Sequence, residues 1–160
     1  MSKIIPMVFN INELEENAKN GDGLSCYILG RSYDNGENGL EQNLYWYNQG
    51  KELEDPSCIY GVGACYYFGD GVKEDKNKAY GLFIKAYQPL LKLIEQEKNI
   101  PNRQAFSMFC LGAYYYFGFG DIKKDDNTAF KLIYDSAMKC HIASIYDLGA
   151  NFYYNGVGTE

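Results

Sequence analysis

The sequence predicts an all-α chain, a solenoid of paired helices, and three observations carry that prediction. The first is self-similarity. The stretch GVGACYYFGDGVKED at 61–75 has a near copy in CLGAYYYFGFGDIKKDD at 110–126. DLGANFYYNGVG at 147–158 is a third copy and ILGRSYDNGENG at 28–39 a weaker one. The second is period. Each copy holds an apolar-Gly pair, and its glycines, Gly30, Gly63, Gly112 and Gly149, are spaced 33, 49 and 37 residues apart. A period in the thirties marks an array of helix pairs, and the 49 marks an insertion. The third is the pattern inside each copy. Ser25, Leu29 and Tyr33 recur every four residues, as on one helix face, and no stretch alternates with period two for long enough to make a sheet.

The elements follow in order. Asn10 and Glu13 form a capping-box pattern that starts a short helix ending near Gly21. Helices over 23–35 and 41–53, 57–68 and 76–98, and 103–117 and 126–140 make three pairs, and a lone helix over 142–154 follows. An aromatic stands three residues after each repeat glycine: Tyr33, Tyr66, Tyr115 and Phe152. These rings are read as core. Ala79, Leu82, Phe83 and Ala86 mark the inner face of one second helix, and Ala129, Leu132, Ile133 and Ala137 that of another. Asp75 and Asp125 precede these helices and are placed to cap them. Gly69-Asp70-Gly71 follows a helix, where glycine adopts positive φ and closes free carbonyls, so it is read as the turn of the pair. The excess length lies in Tyr87–Asn102. Leu90, Leu91, Leu93 and Ile94 continue a helix there, Pro89 kinks it or starts a new one, and Pro101 ends it. The expectation is an extended second helix that projects from the array.

The combined pattern resembles the Sel1-like repeat, a relative of the tetratricopeptide repeat. The best unit is Cys58, Val62-Gly63, Tyr66, Gly69, Gly71-Val72, Asp75, Ala79, Leu82-Phe83 and Ala86. Ser107, Leu111-Gly112, Tyr115, Gly118, Gly120, Ile122, Asp125, Ala129, Leu132 and Ala137 repeat it with one extra loop residue, Asp121. In the first unit the loop is about three residues short, and Trp46-Tyr47 take the aromatic places of the second helix. The resemblance covers roughly residues 23–158. It implies an α/α right-handed superhelix of about three and a half repeats in a single domain over 1–160: a capping helix at 1–22, repeats at 23–55, 56–102 and 103–141, and a terminal half repeat at 142–160. The array stops mid-repeat, so either the last helix is itself the cap or the exposed end stacks on another copy in end-to-end self-association.

Composition narrows the partners. A net charge of −6 and a pI near 4.8 argue against nucleic acid and against an anionic membrane surface. The apolar run Ile4–Phe9 is too short to span a bilayer and has no cleavage pattern. Five cysteines (26, 58, 65, 110, 140) occur without a CxxC pair. They are read as reduced packing thiols of a cytoplasmic protein.

Little in the chain suggests catalysis. The single histidine, His141, adjoins Cys140 at a turn, and neighbours on a turn rarely point together. The acidic loops at 70–75 and 121–126 lack the ligand spacing of a calcium loop and contain lysines. The Gly-x-Gly turns lack the strand and the Lys-Ser/Thr of phosphate loops. No cofactor or metal is expected, and the chain is read as a non-enzyme.

Function is expected on the first helices, which line the concave surface of a helix-pair superhelix. Opposite the core stripe lie Tyr27, Arg31 and Asp34. The later units place Tyr60 and Tyr67, Phe109 and Tyr116, and Tyr146 and Tyr153 there. The tetratricopeptide relationship implies peptide recognition at equivalent positions, and Tyr suits such contacts. The expected function is therefore a protein-interaction adaptor binding a partner protein or peptide. Two alternatives stand beside it. One is an inhibitor or immunity protein that uses 87–102 as a plug. The other is a weak β-lactamase-like hydrolase, as the resemblance to cysteine-rich Sel1-like proteins implies, although this chain lacks their regular Cys pairs.

Overall fold

A computed structural model of the chain describes residues 9–33, 39–96 and 101–139, which form seven helices and no strand. These are α1 (Ile11–Lys19), α2 (Gly23–Ser32), α3 (Gly39–Glu52), α4 (Pro56–Phe68), α5 (Lys76–Gln96), α6 (Pro101–Phe117) and α7 (Asp126–Met138). Phe9–Gln88 forms one compact unit, and the described residues from Pro89 onward belong to a second.

Helix starts follow the aspartates and one asparagine. Asn10, in extended conformation, accepts from the N–H groups of Asn12 and Glu13. Asp22 caps α2 through Ser25, and Asp55 caps α4 through Ser57 and Cys58, with Pro56 at the first helical position. Asp75 accepts from the Lys78 N–H at 3.0 Å. Asp125 accepts from the N–H groups of Asn127 and Thr128 at 3.1 Å each, and from the Thr128 hydroxyl at 2.6 Å. The two capping expectations for the second helices hold.

The Gly-x-Gly stretches are turns. Gly69 has φ +77° and returns its N–H to the Cys65 carbonyl at 2.9 Å. Gly118 has φ +72° and does the same to Tyr114 at 2.8 Å. The Asp75 N–H then reaches the Tyr66 carbonyl and the Asp125 N–H the Tyr115 carbonyl, both at 2.9 Å. The closure is conserved although the second loop is one residue longer. Gly71 adds a close approach: at φ +67°, a Cβ there would lie 2.4 Å from the Leu40 carbonyl oxygen.

In the unit of Phe9–Gln88, α1 packs on α2, α2 on α3, and α4 on both α2 and α3. In the other, α6 packs on α7. The repeat glycine explains the pairing. A Cβ at Gly30 would lie 2.4 Å from Tyr47 of α3, one at Gly63 2.7 Å from Phe83 of α5, and one at Gly112 2.5 Å from Ile133 of α7. In each pair the first helix gives up a side chain so that one large apolar residue of the second can seat against its backbone. Small residues cover the rest of the contact: Ala79, Ala86, Ala129 and Ala137 are fully or almost fully buried.

The inserted segment holds the extended second helix expected of it and departs from expectation in two ways. Pro89 lies inside α5, which is continuous from Lys76 to Gln96, so of the two readings of this proline the start of a new helix is excluded. Pro101 opens α6, a position where its missing N–H costs no helical bond. Nor does the segment simply project. Leu90 is fully buried, and the Gln104 side-chain amide donates to the Ile94 carbonyl at 2.9 Å. The lone helix expected over 142–154 lies outside the described residues, as do Cys140 and His141.

Candidate aromatic interaction surfaces

The first helices are buried far more completely than a single core stripe requires. In α4, every residue from Pro56 to Gly63 is buried, and so is Cys65. In α2, Gly23 and Ser25–Gly30 are buried, and in α6 Gln104–Ser107 and Phe109–Tyr114. For α2 the reason is placement: it touches α1, α3 and α4, so little of its circumference is left for solvent.

This decides where the expected binding residues stand. Tyr27 is 0% exposed and stacks on Tyr47, with centroids 5.6 Å apart at 26°. Tyr60 is buried, 5.8 Å from the Phe83 ring, and Phe109 is buried as well. These three rings are packing residues, contrary to the expectation that they line an open concave surface. Arg31 is half-buried. Asp34, Tyr146 and Tyr153 lie outside the described residues. Tyr67 and Tyr116 are half-buried, one in each unit. Tyr33, Tyr66 and Tyr115, read as core, are half-buried too, and the Lys78 ammonium donates to the Tyr66 hydroxyl at 2.7 Å.

What the structure does bring together is an aromatic corner at the last turn of α4 and another at the last turn of α6. Tyr67 and Phe68 meet edge to face at 5.0 Å and 80°, and Tyr116 and Phe117 at 4.9 Å and 89°. Lys76 places its ammonium 5.4 Å from the Tyr67 ring centre, and Lys124 places its own 5.3 Å from that of Tyr116. Phe68 remains 49% exposed and Phe117 45%. Tyr80 and Phe83 extend the first corner at 6.2 Å each from Tyr67. Phe119 stacks on Phe117 at 5.0 Å in the second. Sequence reasoning missed the two phenylalanines and the two lysines. The signal was the repeated Tyr-Phe-Gly at 67–69 and 116–118, in which the glycine ends the helix and so leaves the preceding ring at its edge.

A shallow cleft of about 450 Å³ beside the second corner is lined by Tyr115, Asp121, Ile122, Lys123, Lys124 and Asp125. Hydrogen bonds from the Thr128 hydroxyl and N–H, with the Asn127 N–H, hold the Asp125 carboxyl below its ordinary range, so it is an ionised cap. Among the described residues no group of three His, Cys, Asp or Glu side chains is placed to hold a metal ion. The four described cysteines are buried free thiols. Cys58 faces the Gly23 carbonyl at 3.3 Å and Cys65 the Asn43 side-chain oxygen at 3.3 Å. Among the described residues no helix is long and apolar enough to cross a membrane.

Comparison with known proteins bears on the same helix pairs. The Sel1 repeat family model matches residues 23–55, 56–88, 105–138 and 142–160. The chain belongs to the Sel1 repeat family. Sel1 repeats are generally protein–protein interaction repeats and typically non-catalytic. Their match stops at 88 and resumes at 105, which isolates the inserted segment. No curated protein matches. Among solved structures, a Sel1 repeat protein from Oxalobacter formigenes is similar at 24% identity and a TM-score of 0.45, over 87% of this chain and 96% of that one. A protective antigen of uropathogenic Escherichia coli strains with an SLR fold is similar at 21% identity and a TM-score of 0.46. That match covers 94% of this Sel1 repeat chain, which spans 38% of the antigen's length.

Proposed function

We propose that this Sel1 repeat protein is a non-enzymatic, cytoplasmic adaptor that binds a partner protein or peptide through its aromatic corners. The observation that carries the reading is their recurrence. Two units present the same edge-to-face Tyr-Phe pair, with a lysine over the tyrosine and a half-exposed phenylalanine. Core packing would be served by burying Phe68 and Phe117, and neither is buried. Rigid, braced aromatic rings at a surface are the usual anchors of protein interfaces because they lose little entropy on contact.

The test is quantitative. A partner identified by crosslinking to the full chain is titrated against the wild-type protein and against Tyr67→Ala with Tyr116→Ala. At least about a tenfold loss of affinity is expected for two anchors. Unchanged affinity overturns the reading. The plug alternative uses the outward residues of the inserted segment, Lys92 and Glu95. Reversing both charges leaves affinity unchanged on the present reading and abolishes it on that one.

A further inference from the structure

We propose that the outer face of α3 docks a basic segment of a partner protein, seating an arginine or lysine side chain on Tyr45 between Glu41 and Glu52. The net charge of −6 is not spread along the chain. Phe9–Gln88 holds thirteen acidic and seven basic residues, and the remainder holds eight of each. All of the excess, and with it the long-range attraction for cations, therefore belongs to the unit that contains α3.

On that helix Glu41, Tyr45, Gln49 and Glu52 fall within about 80° of arc, and all four are exposed. Tyr45 is 50% exposed, yet its ring is braced edge-on by Trp46 at 5.2 Å and 75°. It is a fixed plate, and among the described residues no cation lies over it, in contrast to Tyr66, Tyr67 and Tyr116. Glu41 stands about 6 Å along the axis on one side and Glu52 about 10 Å on the other. Glu41, in the first turn, has a local reason to be acidic, since the helix dipole favours it. Glu52 sits in the last turn, where the dipole opposes a carboxylate, and its exposed pair with Lys51 at 3.1 Å offsets little. An open aromatic face between two carboxylates is the chemistry that holds a guanidinium or an ammonium group. Leu53, exposed just past the end of the helix, offers apolar contact for the stem of such a side chain.

The probe is a short alanine-based peptide carrying four arginines, with the same peptide carrying glutamates as its counterpart. Both are titrated at low ionic strength against the full chain. The arginine peptide is expected to bind and the glutamate peptide not to. Glu41→Gln with Glu52→Gln should weaken the arginine peptide about fivefold. Tyr45→Leu, which leaves the charge unchanged, should weaken it about threefold. Glu13→Gln with Glu16→Gln on α1 removes the same charge and should change binding less than twofold. Equal losses from the two glutamate pairs, no effect of Tyr45→Leu, or preference for the glutamate peptide would each overturn the proposal. The variant Tyr67→Ala with Tyr116→Ala should leave this binding intact, so failure here and failure of the aromatic corners are separable.

Discussion

Tyr47 occupies the space that a side chain at Gly30 would need: a Cβ on Gly30 would sit 2.4 Å from Tyr47 Cε1. The same ring lies 2.8 Å from the place of a Cβ at Gly61 and stacks on Tyr27. Three helices thus converge on one aromatic residue. Gly30→Ala should force the ring off its seat and destabilise the protein by about 1–3 kcal/mol, the usual cost of overpacking. The urea midpoint measures this, and a midpoint equal to wild type would show that Tyr47 has room to retreat.

Gly81 is the contrasting case. It lies in α5, is exposed, and a Cβ there would meet nothing within 4 Å. No close approach or left-handed backbone requires a glycine. Gly81→Ala should raise stability by about 0.5–1 kcal/mol through helix propensity and a less flexible unfolded chain. Thermal unfolding should show a higher midpoint with no change in partner affinity.

Asp125 links stability to pH. Its carboxyl is held below the ordinary carboxylate range, first by the Thr128 hydroxyl and then by backbone N–H groups. A pKa depressed by folding means that the unfolded chain binds the proton more readily. The contribution is therefore present above the ordinary carboxylate pKa and lost as pH falls through the folded value. Asp125→Ala should unfold at lower urea than wild type at pH 7, and the gap should close in acid. A gap that stays constant from pH 7 to pH 2 would rule out the ionised cap.

Cys26 titrates in the opposite direction. Burial first, and then the carboxylates of Asp55 and Asp22, push its thiol up to about 11. The thiol is neutral at physiological pH and shielded from reagents. In the native protein Cys26, Cys58, Cys65 and Cys110 should resist iodoacetamide at pH 8 and react rapidly in urea. Because folding raises the pKa of Cys26, its contribution to stability is whole below the ordinary thiol value and is lost as pH rises toward 11. Fast native labelling of Cys26 would contradict its placement.

Much of the fold was legible because it rests on local chemistry. Aspartates before helices and glycines after them act through backbone contacts a few residues apart, and apolar residues every three or four positions mark the face each helix buries. Hence the boundaries of α2 to α7 came within a few residues of expectation, Pro101 excepted. Proline can either stop one helix or open the next, and only the chain after it decides which. The repeat glycines were legible as a pattern but not as a cause, since Tyr47, Phe83 and Ile133 lie seventeen to twenty-one residues further on.

The candidate site was less legible. An amphipathic pattern tells which face of a helix meets its nearest partner, and on that rule Tyr27, Tyr60 and Phe109 faced outward. It says nothing of how many neighbours a helix has. The sequence by itself determined the helix pairs, their caps and turns, and the Sel1 repeat. Only the tertiary structure decided which of the many tyrosines are core and which are surface, because burial on a second face depends on helices distant in the chain. Phe68 and Phe117, at the last turn of α4 and α6 where the αL glycine turns the chain away, are left at the surface, as are Tyr45, Tyr80 and Tyr134 on the second helices.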